Sequence, residues 1–184
     1  MNEQILFVLT FVSAVGCGLI AGVFFAFSSF VMKALARLPA AQGIAAMQSI
    51  NVAVINPWFM TAFLGTCAGC AVVAVLSALR WQESGSAYAL AGSLLYLCGT
   101  ILVTGVCNVP RNNALAQGAV DWPNYVAQWT AWNHVRTAAA LIAAVLLVWS
   151  ASWPTPAAVG RGVGIQSRRP EARVTVRRPS GLPL

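Results

Sequence analysis

Apolar runs long enough to cross a bilayer, separated by short polar stretches, set the organisation of this chain. The first lies between Glu3 and Lys33 and is free of charge over about residues 5–32; others follow at about 57–79, 87–107 and 137–153. Each approaches the roughly 20 apolar residues that a helix needs to traverse the hydrocarbon core. The pattern predicts an all-α fold, a four-transmembrane-helix bundle with short amphipathic segments, over residues 1–153. The boundaries are marked by cap chemistry. Asn56-Pro57 reads as an N-cap followed by proline at the first helical position, and Asp121-Trp-Pro123 as a helix start that runs on into the fourth span. Asn108-Val-Pro110 predicts the end of the third helix, because the residue before a proline is pushed out of the α region. Residues 40–51, between Pro39 and Asn51, form a short amphipathic segment. Gly18-x-x-x-Gly22 and Gly65-x-x-x-Gly69 offer small surfaces for close helix packing.

The composition agrees: 59% of residues are hydrophobic, 8% are charged, and the mean hydropathy is +0.74. A cleaved signal peptide fits the first run poorly, since Glu3 rather than a basic segment precedes it and no small-residue cleavage pattern follows. The net charge of +7 is not a nucleic-acid signature, because residues 161–184 hold six arginines against Glu171 and supply +5 of it. That Arg/Pro-rich tail, within 154–184, is expected to be disordered and to touch anionic lipid. Basic residues after a last span favour the cytoplasmic side, which predicts a multi-pass plasma-membrane protein with both termini cytoplasmic. Cys17, Cys67, Cys70, Cys98 and Cys107 all fall in the apolar runs. Cys67-x-x-Cys70 lacks further ligand types nearby, so these residues read as small packing groups and no metal site is expected. Absence of an internal repeat argues against a transporter built on one.

Most of the polar chemistry is concentrated between residues 108 and 136. At about 100° per residue, Tyr125, Trp129, Trp132, Asn133 and Arg136 share roughly one third of the helix circumference. Ala139, Ala140 and Ala143 continue that side, so the stripe should look into the bundle. His134, the only histidine, falls off the stripe on the bulky side. Trp81, Trp122 and Trp153 read as interfacial anchors, whereas Trp58, Trp129 and Trp132 suit either anchoring or pocket lining. Arg136 reads as a snorkelling surface cation or a pocket group. Arg111, Asn108 and Asn112 read as site residues or as partners for loose backbone groups at a helix break. Asn56 and Asn51 fall on the same side of the membrane.

The block Asn108-Val-Pro110-x-Asn112-x-x-Leu115-Ala116, then Trp122, Tyr125 and Trp129-Thr-x-Trp132-Asn133-His134-Val-Arg136-Thr137, resembles the anthrone oxygenase-like family of integral membrane proteins (DUF1772). Gly18-x-x-x-Gly22-x-x-x-x-Phe27 and the segment Asn51 to Pro57 fit as well, and the resemblance spans roughly residues 5–150. It implies a monooxygenase of polyketide type that oxidises an anthrone or similar polycyclic aromatic with O2 and needs no cofactor, metal or flavin. Such chemistry asks for a base, a cation or donors for a developing oxyanion, and a dry aromatic pocket. On that reading His134 is the base, Arg136 and Arg111 stabilise the oxyanion, and Asn108, Asn112, Asn133 and Asn56 orient the substrate. Trp58, Trp129 and Trp132 stack on it. The face of the helix favours Arg136, Trp132 and Asn133 over His134. The alternatives are a non-catalytic membrane protein that binds or carries a hydrophobic aromatic or quinone-like molecule, and an accessory membrane subunit.

Overall fold

The computed structural model of the chain describes residues 3–153; the Arg/Pro-rich tail lies outside the described residues. The described residues are all-helical, and the long helices are α1 (Glu3–Ala36), α3 (Pro57–Leu79), α4 (Ser86–Ala116) and α5 (Trp122–Ala151). The shorter α2 spans Ala40–Ala53. The four long helices are long and apolar enough to cross a membrane, which makes this a multi-pass membrane protein. In the bundle α1 packs against α3 and α5, and α4 against the same two, so that successive helices are neighbours and the last closes on the first.

Local chemistry explains the starts. Asn56 accepts from the Phe59 amide at 3.0 Å and Asp121 from the Asn124 amide at 3.2 Å, each followed by proline in the first turn. The turns before α4 and α5 use Gly85 (φ +85°) and Gly118 (φ +68°), a left-handed conformation that glycine adopts without strain.

The end of the third helix differs from expectation. Pro110 does not stop α4, which continues to Ala116 through two π-helical segments, Leu97–Leu102 and Thr104–Asn108. Pro110 falls in the first α-helical turn after the second segment, where a missing N–H costs least. α1 carries a π-helical segment of its own at Phe27–Val31.

Two apolar clusters hold the bundle. Ile20, Cys17, Cys70, Val73, Tyr96, Ala140 and Leu147 form one along its axis. Met32, Leu35, Met47, Leu115, Trp122, Tyr125 and Trp129 form the other, where α2 caps one end. Trp122, expected as an interfacial anchor, is instead buried and stacked on Tyr125 with centroids 5.7 Å apart. Gly43 of α2 makes room for it, since a Cβ there would lie 2.6 Å from the Trp122 ring. Trp81 and Trp153 are exposed.

Of the expected glycine pairs only Gly69 lies at a close helix contact, and the other contacts run through different small residues. A Cβ at Gly18, Gly22 or Gly65 would meet nothing within 4 Å. By contrast, a Cβ at Gly16 would lie 2.0 Å from the Thr66 hydroxyl, one at Gly69 2.5 Å from that of Ser13, and one at Gly99 2.4 Å from the Ala139 Cβ. The α1–α3 seam therefore passes through Gly16 and Gly69. Gly16→Val should destabilise the bundle by about 1–3 kcal/mol through overpacking, while Gly18→Val leaves the melting temperature in detergent near that of the parent. Equal melting of the two variants would overturn this assignment of the seam.

Candidate functional site

Arg136 is the point around which the polar block organises. It comes from the inward stripe of α5 and is 4% exposed. Its Nη2 donates to Asn133 Oδ1 at 2.7 Å and its Nη1 to Thr104 Oγ1 at 3.2 Å, while Nε has no partner. The guanidinium carbon lies 4.2 Å from the Phe24 ring centroid and 5.0 Å from that of Trp129, distances at which ring faces attract a cation. The one ion pair among the described residues is Arg80–Glu83, so no carboxylate neutralises this charge.

Asn133 is the positioning group. Its amide donates to the Phe24 carbonyl and to Ser28 Oγ, both at 2.7 Å, which turns its carbonyl oxygen toward Arg136. Ser28 in turn lies 3.0 Å from the Thr137 hydroxyl, which donates to the Asn133 carbonyl at 2.8 Å. Thr104 donates to the Thr100 carbonyl at 2.7 Å and so presents its oxygen to the arginine. A second polar group is centred on Asn112, whose Oδ1 accepts from Tyr125 Oη and Trp129 Nε1, both at 2.9 Å. Asn108 donates to the Trp129 carbonyl at 3.3 Å and keeps an unpartnered, buried Oδ1.

Part of this network borders a cavity of about 940 Å³ between the bundle and α2, while Asn133 and Tyr125 stand behind its wall. Pockets for small organic ligands run to roughly 300–1,000 Å³. Arg136, Trp129, Asn108, Asn112 and Thr104 line it together with Phe24, Phe27, Phe59, Phe63, Met47, Gln48 and Asn51. The aromatic wall has two parts that meet at Arg136: Phe27 lies 5.5 Å from Trp129, while Phe24 lies 6.4 Å from Phe63, and Phe63 5.7 Å from Phe59 in a stacked pair. Among the described residues no imidazole, carboxylate or thiol lines the cavity. The polar chemistry of its wall is that of amides, a hydroxyl, an indole and one guanidinium.

The sequence stripe therefore appears largely as expected, with Tyr125, Trp129, Asn133 and Arg136 buried. Trp132, at the edge of the stripe, is exposed and absent from the cavity wall. Trp58 is 88% exposed, because the first turn of α3 points it outward. His134 lies on the outer face of α5, about 160° around the helix from Arg136, and does not reach the cavity. Arg111 is directed to the outside as well. It donates to the Cys107 carbonyl near Pro110 and to Gln128 Oε1 through Nε and Nη2 at 3.2 and 3.0 Å, which ties α4 to α5. Asn56 is used by the α2–α3 turn, where it also donates to the Ala53 carbonyl at 2.9 Å. Phe24, Ser28 and Thr104 do not stand out in the sequence as site residues; the trace they leave is a serine and a threonine inside apolar runs.

Residues 59–146, from the first turn of α3 through most of α5, match the family model described as anthrone oxygenase. That stretch belongs to the anthrone oxygenase family. No curated protein and no solved structure matches the chain. The match contains Thr104, Asn108, Asn112, Trp129 and Arg136, whereas α1 and α2, which supply Phe24, Phe27 and Met47, lie outside it.

Asn133→Ala removes two donated bonds and the acceptor of Arg136, leaving a buried charge less compensated. A stability loss of about 3 kcal/mol is expected, read as earlier thermal unfolding in detergent. Melting unchanged from wild type would mean that Arg136 does not depend on this support.

Proposed function

We propose that the protein oxidises an anthrone or a similar polycyclic aromatic carbon acid with molecular oxygen. The flat substrate lies against the ring faces of the cavity, and Arg136 stabilises its deprotonated form. The observation that carries this reading is a buried guanidinium with no carboxylate partner and an unused N–H, bordering an aromatic-walled cavity of about 940 Å³. A cation so placed favours an enolate over the neutral ketone, and catalysis requires that kind of differential stabilisation.

The reaction balances as a ring methylene plus O2 giving a ring carbonyl plus water. The substrate loses a proton to water and becomes the enolate. The enolate passes one electron to O2, and the two radicals join as a carbon-bound peroxide. Loss of the second methylene proton then breaks the O–O bond, leaving the carbonyl and releasing hydroxide, which takes up the first proton. Four electrons pass from carbon to oxygen. With no general base among the described residues of the cavity wall, the acidity of the substrate beside Arg136 takes its place.

The same lack of a base favours a second reading, a carrier that holds an aromatic or quinone-like molecule without converting it. The two readings separate when purified protein in detergent is supplied with an anthrone in oxygenated buffer and quinone absorbance is followed. Wild type should exceed the autoxidation rate. Arg136→Gln should lower that excess by about 10²–10³-fold, while His134→Ala stays within about twofold of wild type. Binding of the anthrone with conversion only at the autoxidation rate would sink the oxygenase reading and leave the carrier.

A further inference from the structure

The outer face of α5 carries a second depression, of about 400 Å³, where the end of α1 meets the first half of α5. Lys33, Ala36, Ala127, Thr130, Ala131 and His134 are among its lining residues. The alanines keep it open, and the polar residues give it a definite chemistry. Lys33 and His134 are exposed, neither has an ion-pair partner among the described residues, and no acid lines the depression. Thr130 supplies an independent sign. Thr66, Thr104 and Thr137 each donate to the carbonyl four residues earlier, at 2.7, 2.7 and 2.8 Å, as threonines in apolar helices usually do. The Thr130 hydroxyl is buried and makes no such bond. A buried hydroxyl without a partner is costly, and it costs least if a ligand completes it.

We infer that this depression binds the headgroup of an anionic phospholipid. The Lys33 ammonium and a His134 ring N–H each offer a donor to one phosphate, rotation of Thr130 about χ1 brings its hydroxyl out to join them, and charge-assisted bonds to phosphate are among the strong ones. Position selects a lipid over a soluble phosphate ester. Lys33 is the first charge after the apolar run of α1 and stands one turn before that helix ends at Ala36, the level at which basic side chains meet headgroups. Phe30 and Val135, 60% and 43% exposed, continue the same helices toward the apolar side. The histidine that the cavity leaves unused thus has a place in a separate site on the opposite face of α5.

Native mass spectrometry of the full chain in non-ionic detergent, titrated with phosphatidylglycerol, tests the site. Wild type should retain one lipid, and Lys33→Gln/His134→Gln should bind it about tenfold or more weakly. Thr130→Val leaves every charge in place, so a smaller fall there separates this site from general attraction by the basic tail, which all variants share. Phosphatidylcholine should bind wild type no better than the double variant. The inference fails if the double variant and Thr130→Val both hold phosphatidylglycerol like wild type. It fails equally if inorganic phosphate binds to wild type while phosphatidylglycerol does not.

Discussion

A guanidinium inside a bundle of apolar helices has lost its water, and the fold is tenable only if something else surrounds it. Replacing that hydration costs several kcal/mol per ion unless neighbours supply equivalent contacts. Around Arg136 these contacts are an amide oxygen, a hydroxyl and two ring faces, with no opposite charge. The dependence runs outward in order. Asn133, one turn earlier, orients its oxygen by giving its amide to α1, at the Phe24 carbonyl and the Ser28 hydroxyl. The packing of α1 on α5 is therefore also the contact that supports the charge.

The irregular turns of the helices serve the same end. α1 has its π-helical segment at Phe27–Val31, where Phe27 and Ser28 face α5, and α4 has two, which present Thr100, Thr104 and Asn108. Four residues overshoot a full α-helical turn by about 40°, so Thr100, Thr104 and Asn108 would drift around a regular helix. Wider π turns take that excess back and keep the three near one face. The same unwinding lets α4 pass Pro110, and the Arg111 side chain then serves a carbonyl close to the break. π-helical insertions often accompany functional sites because they re-aim side chains in this way.

What can be read in the sequence follows from how local each signal is. The spans and the caps at Asn56 and Asp121 depend on length, hydropathy and one side-chain bond, and all appear in the structure. The inward face of α5 is legible because a regular helix preserves its period over many residues. Trp58, Trp132, His134 and Arg111 are harder, since a polar or aromatic residue at a helix end is equally at home facing a cavity, a neighbouring helix or the bilayer. The burial of Trp122 is hidden for a related reason: it depends on Gly43, nearly eighty residues away, leaving space for the ring. Phe24, Ser28 and Thr104 reach the site from other helices, two of them beside π turns that alter the phase any periodic reading assumes.

The uncompensated charge also sets the direction of the proposed chemistry. A neutral polycyclic ketone can be held by Phe24, Phe27 and Trp129 alone, and it leaves Arg136 without its missing partner. Deprotonation creates that partner in place, so the cavity stabilises the reactive form more than the entering one. Oxidation to the quinone removes the negative charge again and with it the strongest contact. In the proposed reaction one buried cation thereby serves both activation and release. A carrier built on the same cavity would likewise hold anionic ligands longest, so conversion of the bound molecule, and not its charge state, distinguishes the two ways of using one arginine.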